Sequence, residues 1–317
     1  MLTKRRSLLA AMASLPLAAQ AAANNSWQPR RPIEMLISYP AGGGADTIGR
    51  ALAAQVGRQA GWKIIPMNKP GAGGLVFLRD LSEAKPDGSR IGICLSSQLT
   101  FPPGGSKSLA VNIDDYVLLG SVATSYMTIL SKGGGPLASI DAIKSYAKKN
   151  GSVSIAVSPT FSWLSHALSD ALGVTVIGVV YKGASEYLPA LLGGHVDLVV
   201  WAGGTQQLEA AGTVVVVATL ASQRIPGDPS IPTLKENGIP IEVEADFIVL
   251  APKAMDTGIT ETFTGVIAKA AQSPAFQSRM EALLGRPARY VAPQQLFPHL
   301  KAQQQVALEY ESRYAKH

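Results

Sequence analysis

The chain has 317 residues, 47% of them hydrophobic and 16% charged, with a formal net charge of +6 at pH 7. Losing the first six residues would take three cations and no anion, leaving +3, and no basic stripe with interleaved aromatics suggests a nucleic-acid partner. Cys94 is the only cysteine, which excludes an intrachain disulfide.

In chain order, "MLTKRRSLLAAMASLPLAAQAAANN" comes first. It has a basic start (Lys4, Arg5, Arg6), an apolar run from Leu8 to Ala19, and A-x-A patterns at Ala19–Ala21 and Ala21–Ala23. That is the form of a secretory signal peptide, expected over residues 1–23. The apolar run is shorter than the roughly 20 residues a bilayer span requires. The Arg5-Arg6 pair leaves both the general and the twin-arginine export routes open. About 290 residues remain, more than one core usually serves, so two domains are expected.

"IEMLIS" (33–38) predicts a strand, then a glycine loop, then a helix from about Asp46 with Ile48, Leu52 and Val56 on one face and Gly61 past its end. "KIIPM" (63–67) predicts a second strand, followed by "NKPGAGG" and a helix through "LVFLRDLSEAK". "RIGICL" (90–95) runs into "SSQ". "VSIAV" (153–157) runs into "SPTFS" and a helix from about Ser162, and "VTVIGVV" (174–180) into "YKGAS" and another helix. "VDLVV" (196–200) and "TVVVVATL" (213–220) complete the series. Continuous β-branched runs of this kind predict strands buried on both faces of a parallel sheet. Repeated strand–loop–helix units predict an α/β fold with right-handed crossovers. Every glycine- or hydroxyl-rich loop falls at the carboxyl end of a strand, where open α/β sheets place their ligands.

The chemistry of those loops narrows by elimination. A dinucleotide fingerprint would need glycine at position 47, which is Thr47, and there is no Walker A pattern, G-x-S-x-G elbow or H-E-x-x-H. No His, Cys, Asp and Glu residues have metal-ligand spacing, so neither metal nor cofactor is expected. His166 reads either as a hydrogen-bonded helix residue or as a general base. Asp46 reads either as a cap on the first helical turn or as a ligand contact. What remains is binding by main chain: a glycine loop running into a helix presents unpaired N–H groups to an anion.

"YPAGGGAD", "NKPGAGG", "KPDG", "SxxSH", "VVYKGASEYLPALLGGHVDL", "IPTLKENGIP" and "VLAPKAM" occur in that order from about residue 30 to the C-terminus. In combination they resemble the substrate-binding proteins of tripartite tricarboxylate transporters, the Bug family. The resemblance implies a monomeric periplasmic binding protein of the type II-like two-domain fold. Each domain would be a mostly parallel sheet flanked by helices, with the ligand cleft between them. The implied domains are 27–124 plus 247–317, and 125–246, joined near "SVATSYMTILS" and "DFIVLAP". The implied partners are a small carboxylate and the permease subunits of the transporter, with no catalysis. An exported α/β enzyme and a ligand-binding partner of a membrane sensor are the alternatives.

Carried over by position, the implied ligand-binding residues are Tyr39, Ala41, Gly42, Gly43 and Asp46 in the first loop and Gly73 in the second. Ser96 and Ser97 follow the third strand. The second domain would supply Thr160, Ser162, Ser165 and His166, then Tyr181, Lys182, Gly183 and Ala184, and finally Trp201. Three departures stand out: Lys69-Pro70 in place of Arg-Pro, bulky Phe161 and Trp163 before the "SH" pair, and Trp201 where relatives often have an acid. An aromatic wall without that acid suits a carboxylate on a flat or apolar body better than an amino acid, whose ammonium would need acceptors.

Overall fold

The computed structural model describes residues 27–101 and 112–314; the expected leader lies outside them. β1 (Ile33–Ile37) leads through the first glycine loop into α1 (Gly44–Ala60). β2 (Ile64–Asn68) leads through the second into α2 (Leu75–Ser82), and β3 (Arg90–Leu95) into the short α3 (Ser97–Thr100). The first helix starts at Gly44, two residues before the expected Asp46, and stops where Gly61 turns left-handed at φ 69°. Ile48, Leu52 and Val56 are all buried, as their spacing predicts.

β4 (Tyr116–Ser125) closes the first pass, and the chain crosses to a second sheet. There β5 (Thr128–Lys132), α4 (Ile140–Asn150), β6 (Val153–Val157), α5 (Trp163–Leu172) and β7 (Val176–Val180) follow. α6 (Ala184–Leu192), β8 (Leu198–Trp201), α7 (Gln206–Ala210) and β9 (Val214–Thr219) complete that half. The chain then returns as β10 (Ala245–Pro252) and ends in α8 (Thr257–Ala271), α9 (Pro274–Leu284) and α10 (Pro293–Tyr314).

The two sheets share one plan, with strand orders β2-β1-β3-β10-β4 and β7-β6-β8-β5-β9. In each, three neighbouring strands run parallel. The fourth strand, β10 or β5, opposes both its neighbours. These are the two strands that have just arrived from the other sheet, and so they enter against the parallel set. Both carry register shifts, the bulges that let a crossing strand bend.

Burial on both faces holds for the central strands but not for β2 and β7. They are sheet edges, leaving Met67 37% and Val180 56% exposed. An apolar run reports strand propensity; it does not say whether a neighbour will cover it. The crossings are stitched together: Met127 O accepts from Leu220 N at 2.8 Å and Thr219 Oγ1 at 3.0 Å, and Val243 N donates to Leu220 O at 2.8 Å. The terminal helix α10 reaches across both halves, with the Tyr310 ring 5.0 Å from that of Trp163 on α5. Among the described residues, no helix is long and apolar enough to cross a membrane.

Candidate functional site

The loops following β1, β2 and β3 face those following β6, β7 and β8 across a cleft holding two adjoining cavities that share Tyr39 and Ser158. The smaller, about 50 Å³, opens on Gly43, Gly44 and Ala45 at the start of α1 and on Gly183 and Ser185 at the start of α6. Its walls are apolar: Leu95, Met127, Phe161 and Phe247. The first N–H groups of a helix have no intrahelical acceptor and carry the positive end of its dipole. Two such ends, one from each half, therefore meet at one enclosed space. A Cβ on Gly43 would find nothing nearer than Pro40 O at 3.6 Å, so its absence leaves main chain open to the cavity without being required by the fold.

The larger cavity, about 200 Å³, is the more polar of the two. The second glycine loop, Gly71 to Gly74, forms one side with Ser38 and Gln98; Thr160, Tyr181, Lys182 and Glu186 form the other. Gly73 O accepts from Gln98 Nε2 at 3.2 Å and, across the cleft, from Thr160 Oγ1 at 3.3 Å. Gly74 sits at φ +103° with the Gln98 amide against it, where a Cβ would lie within 2.5 Å of Gln98 Cδ; only glycine fits there. Tyr39 stands between the cavities, and burial, reinforced by Tyr187, pushes its hydroxyl well above the usual range. Tyr181 packs edge-on against Tyr187 at 6.2 Å. Lys182 N donates to Glu186 Oε2 at 3.0 Å, so the first turn of α6 carries its own capping carboxylate.

Asp46 faces the loop, outside both cavities. Its Oδ2 accepts from Gly42 N at 3.1 Å, and its Oδ1 from Arg50 Nε at 2.8 Å and Asn68 Nδ2 at 2.9 Å. Burial alone would raise its pKa; the hydrogen bonds from Asn68 and Gly42, with Arg50 beside it, hold it below the usual carboxylate value. Of the two readings of Asp46, the geometry supports the structural one, a clamp joining loop, helix and β2.

Several expected residues stand elsewhere. Ala41 and Gly42 are exposed and line neither of the two cavities. Ser96 Oγ accepts from Asp246 N at 2.9 Å, tying β3 to β10, and Ser97 is fully buried beside it. A 3-10 turn at Pro159–Phe161 precedes α5 and gives Thr160 and Phe161 to the cleft. The next residues line neither of the two cavities: Ser162 and Ser165 bond to Pro159 O and Ser162 O, both at 3.1 Å, and His166 is exposed. Ala184 begins α6. Trp201 packs, partly buried, against the second half's core, its indole N–H 3.4 Å from Gly204 O. Trp163 stacks on Phe101 at 5.6 Å, so of the three rings expected at the cleft only Phe161 lines either of these two cavities.

Sequence reasoning missed Ser38, Gln98, Ser158, Ser185, Glu186, Tyr187 and Phe247. Ser38 and Ser158 had a signal, since each directly follows a strand at equivalent places in the two halves. Phe247 had none, because it reaches the cleft only when the chain returns on β10. Among the described residues, no group of three or more His, Cys, Asp or Glu could hold a metal ion.

The family described as "Tripartite tricarboxylate transporter family receptor" matches residues 48–303. A UPF0065 protein in the gbd 5' region of Cupriavidus necator is 31% identical over 289 residues, covering 87% of this chain and 86% of its own. The solved periplasmic binding protein BugD is 28% identical, with a TM-score of 0.80 over 91% of this chain and 99% of that one. Rpa4515 of R. palustris, solved with adipate, is similar in fold, with a TM-score of 0.81 over the same shares at 21% identity.

Proposed function

The chain belongs to the receptor family of tripartite tricarboxylate transporters, and from that premise we propose that it closes its halves on a small organic carboxylate and delivers it, unchanged, to membrane permease subunits. One observation carries this: helix N-termini from opposite halves, at Gly44 and Ala184, open on the same cavity. An anion seated there satisfies N–H groups of both halves at once, and the apolar walls strengthen those bonds by keeping water away. Adipate, found with Rpa4515, belongs to the class of ligand this arrangement suits. The phenylalanines beside it favour a carboxylate on an apolar body.

In this reading residues 1–23 direct export to the periplasm, the monomer acts alone in capture, and residues 125–246 form the domain that moves against the rest. Calorimetry tests it with a panel of small carboxylates and their matched primary amides. Carboxylates should bind and amides should not, and NMR after prolonged incubation should recover the acid unaltered. Binding of the amides alone, or turnover of a bound acid, would overturn the proposal.

A further inference from the structure

We propose that the ligand is an ω-amino carboxylate and that Glu186 holds its ammonium group. The inference rests on the carboxylate reading above and adds the chemistry of the other end. The first turn of α6 faces both cavities: Gly183 and Ser185 line the smaller, Lys182 and Glu186 the larger. One turn of helix thus offers N–H groups to one cavity and a carboxylate to the other. Lys182 and Glu186 are the only charged residues lining either of these two cavities. Their charges are not equivalent. Glu186 is half-buried and its Oε2 accepts from Lys182 N at 3.0 Å, so the carboxylate is held in the wall. Lys182 is exposed, and its ammonium rides on a flexible stem that reaches solvent, where its field is screened. Among the described residues, no Lys, Arg or His forms an ion pair with Glu186.

That held carboxylate discriminates among end groups. A second ligand carboxylate meets it as a like charge, and a methyl gains nothing from it. An ammonium donates to it in a charge-assisted hydrogen bond, the stronger kind. Trp201 stands where an acid for such a group was sought in the sequence; Glu186 supplies one from a different element. Spacing narrows the class further. Gly183 and Glu186 lie about one turn apart, roughly 5 Å along α6. An α-amino acid carries its charges on adjacent carbons and cannot reach from the helix ends to Glu186. A chain with methylenes between its charges can, passing Tyr39 and Ser158, which line both cavities. The smaller cavity is then the carboxylate end, and the larger one reads the ammonium.

Calorimetry on the full-length mature protein tests this with matched sets of roughly three to six carbons, the lengths that bridge about one helical turn: the plain acid, the diacid, the α-amino acid and the ω-amino acid. At the chain length that fits, the ω-amino acid should bind about tenfold or more tighter than the other three, the contribution of one charge-assisted hydrogen bond. In Glu186→Gln, whose amide oxygen still accepts from Lys182 N but carries no charge, its lead over the plain acid should fall to about twofold or less. A plain acid, diacid or α-amino acid bound as tightly at every length overturns the inference and leaves the carboxylate reading standing. A lead that persists in folded Glu186→Gln does the same, because the ammonium would then be held elsewhere. If the variant does not fold, the wild-type panel decides alone. Failure of every acid to bind overturns both.

Discussion

Asp46 shows how a single side chain can fix the course of a glycine loop. Its two oxygens fix the Gly42 N–H, Arg50 and Asn68, and so set the path from β1 into α1. Asp46→Asn should cost about 1–2 kcal/mol at neutral pH, because hydrogen bonds to an ionised carboxylate exceed those to a neutral amide. The native pKa lies below the unfolded one. The contribution is therefore complete above the ordinary value of about 3.9 and is lost as pH falls through it toward the lower native value. The gap in melting temperature between wild type and variant should be widest near neutrality and narrow below about pH 4; a gap that widens on acidification would contradict the assignment. Gly43 makes the complementary case. Its backbone, at φ −82°, accepts any residue, and its Cβ position is open. Gly43→Val should fold normally yet weaken carboxylate binding at least tenfold, the loss of about one charge-assisted hydrogen bond. Unchanged affinity in a folded variant would remove this loop from the site.

Among the elements, the N-termini of α1 and α6 open on one cavity, one from each half. Gly183, which caps α6, is extended at φ 164° and tolerates any residue by itself. What limits it is the opposite half: a Cβ there would lie 3.2 Å from Tyr39 Cδ1. Gly183→Ala should therefore oppose closure and leave the open form unstrained. The expected outcome is a ligand-free melting temperature within about 2 °C of wild type and roughly tenfold weaker ligand binding, the lower end of the overpacking range. A drop in ligand-free stability as large as the loss of affinity would mean that the contact belongs to the fold and not to closure.

For the whole molecule, the crossings at Tyr126–Met127 and between Leu220 and Ala245 are the places where motion can occur, since each sheet is internally hydrogen-bonded. The bond from Thr160 to Gly73 joins the two halves across the cleft. Binding should shift the population toward the closed form. Small-angle scattering should show a smaller radius of gyration at saturating ligand than without it. An identical radius would show that the halves are already locked.

The sequence by itself determined the elements and the places where loops meet strands. "IEMLIS", "RIGICL" and "VSIAV" are runs whose β-branched, apolar residues leave little choice but a buried strand, and the glycine loops after them mark carboxyl ends. Those are local properties, fixed by propensity and spacing, and so the α/β plan was legible. Which side chains reach the cleft was decided by tertiary structure alone. Thr160 and Phe161 enter it while Ser162 and His166 turn away, because a 3-10 turn changes the direction of the chain within three residues. Trp201 sits at the expected strand end but faces the core, since a one-residue step along a strand exchanges its two faces. Gln98 becomes a neighbour of the second glycine loop only when β1 pairs with both β2 and β3, and Phe247 of the first only when β10 joins β3. Local pattern sets where a strand ends; only the packed chain sets what stands opposite it.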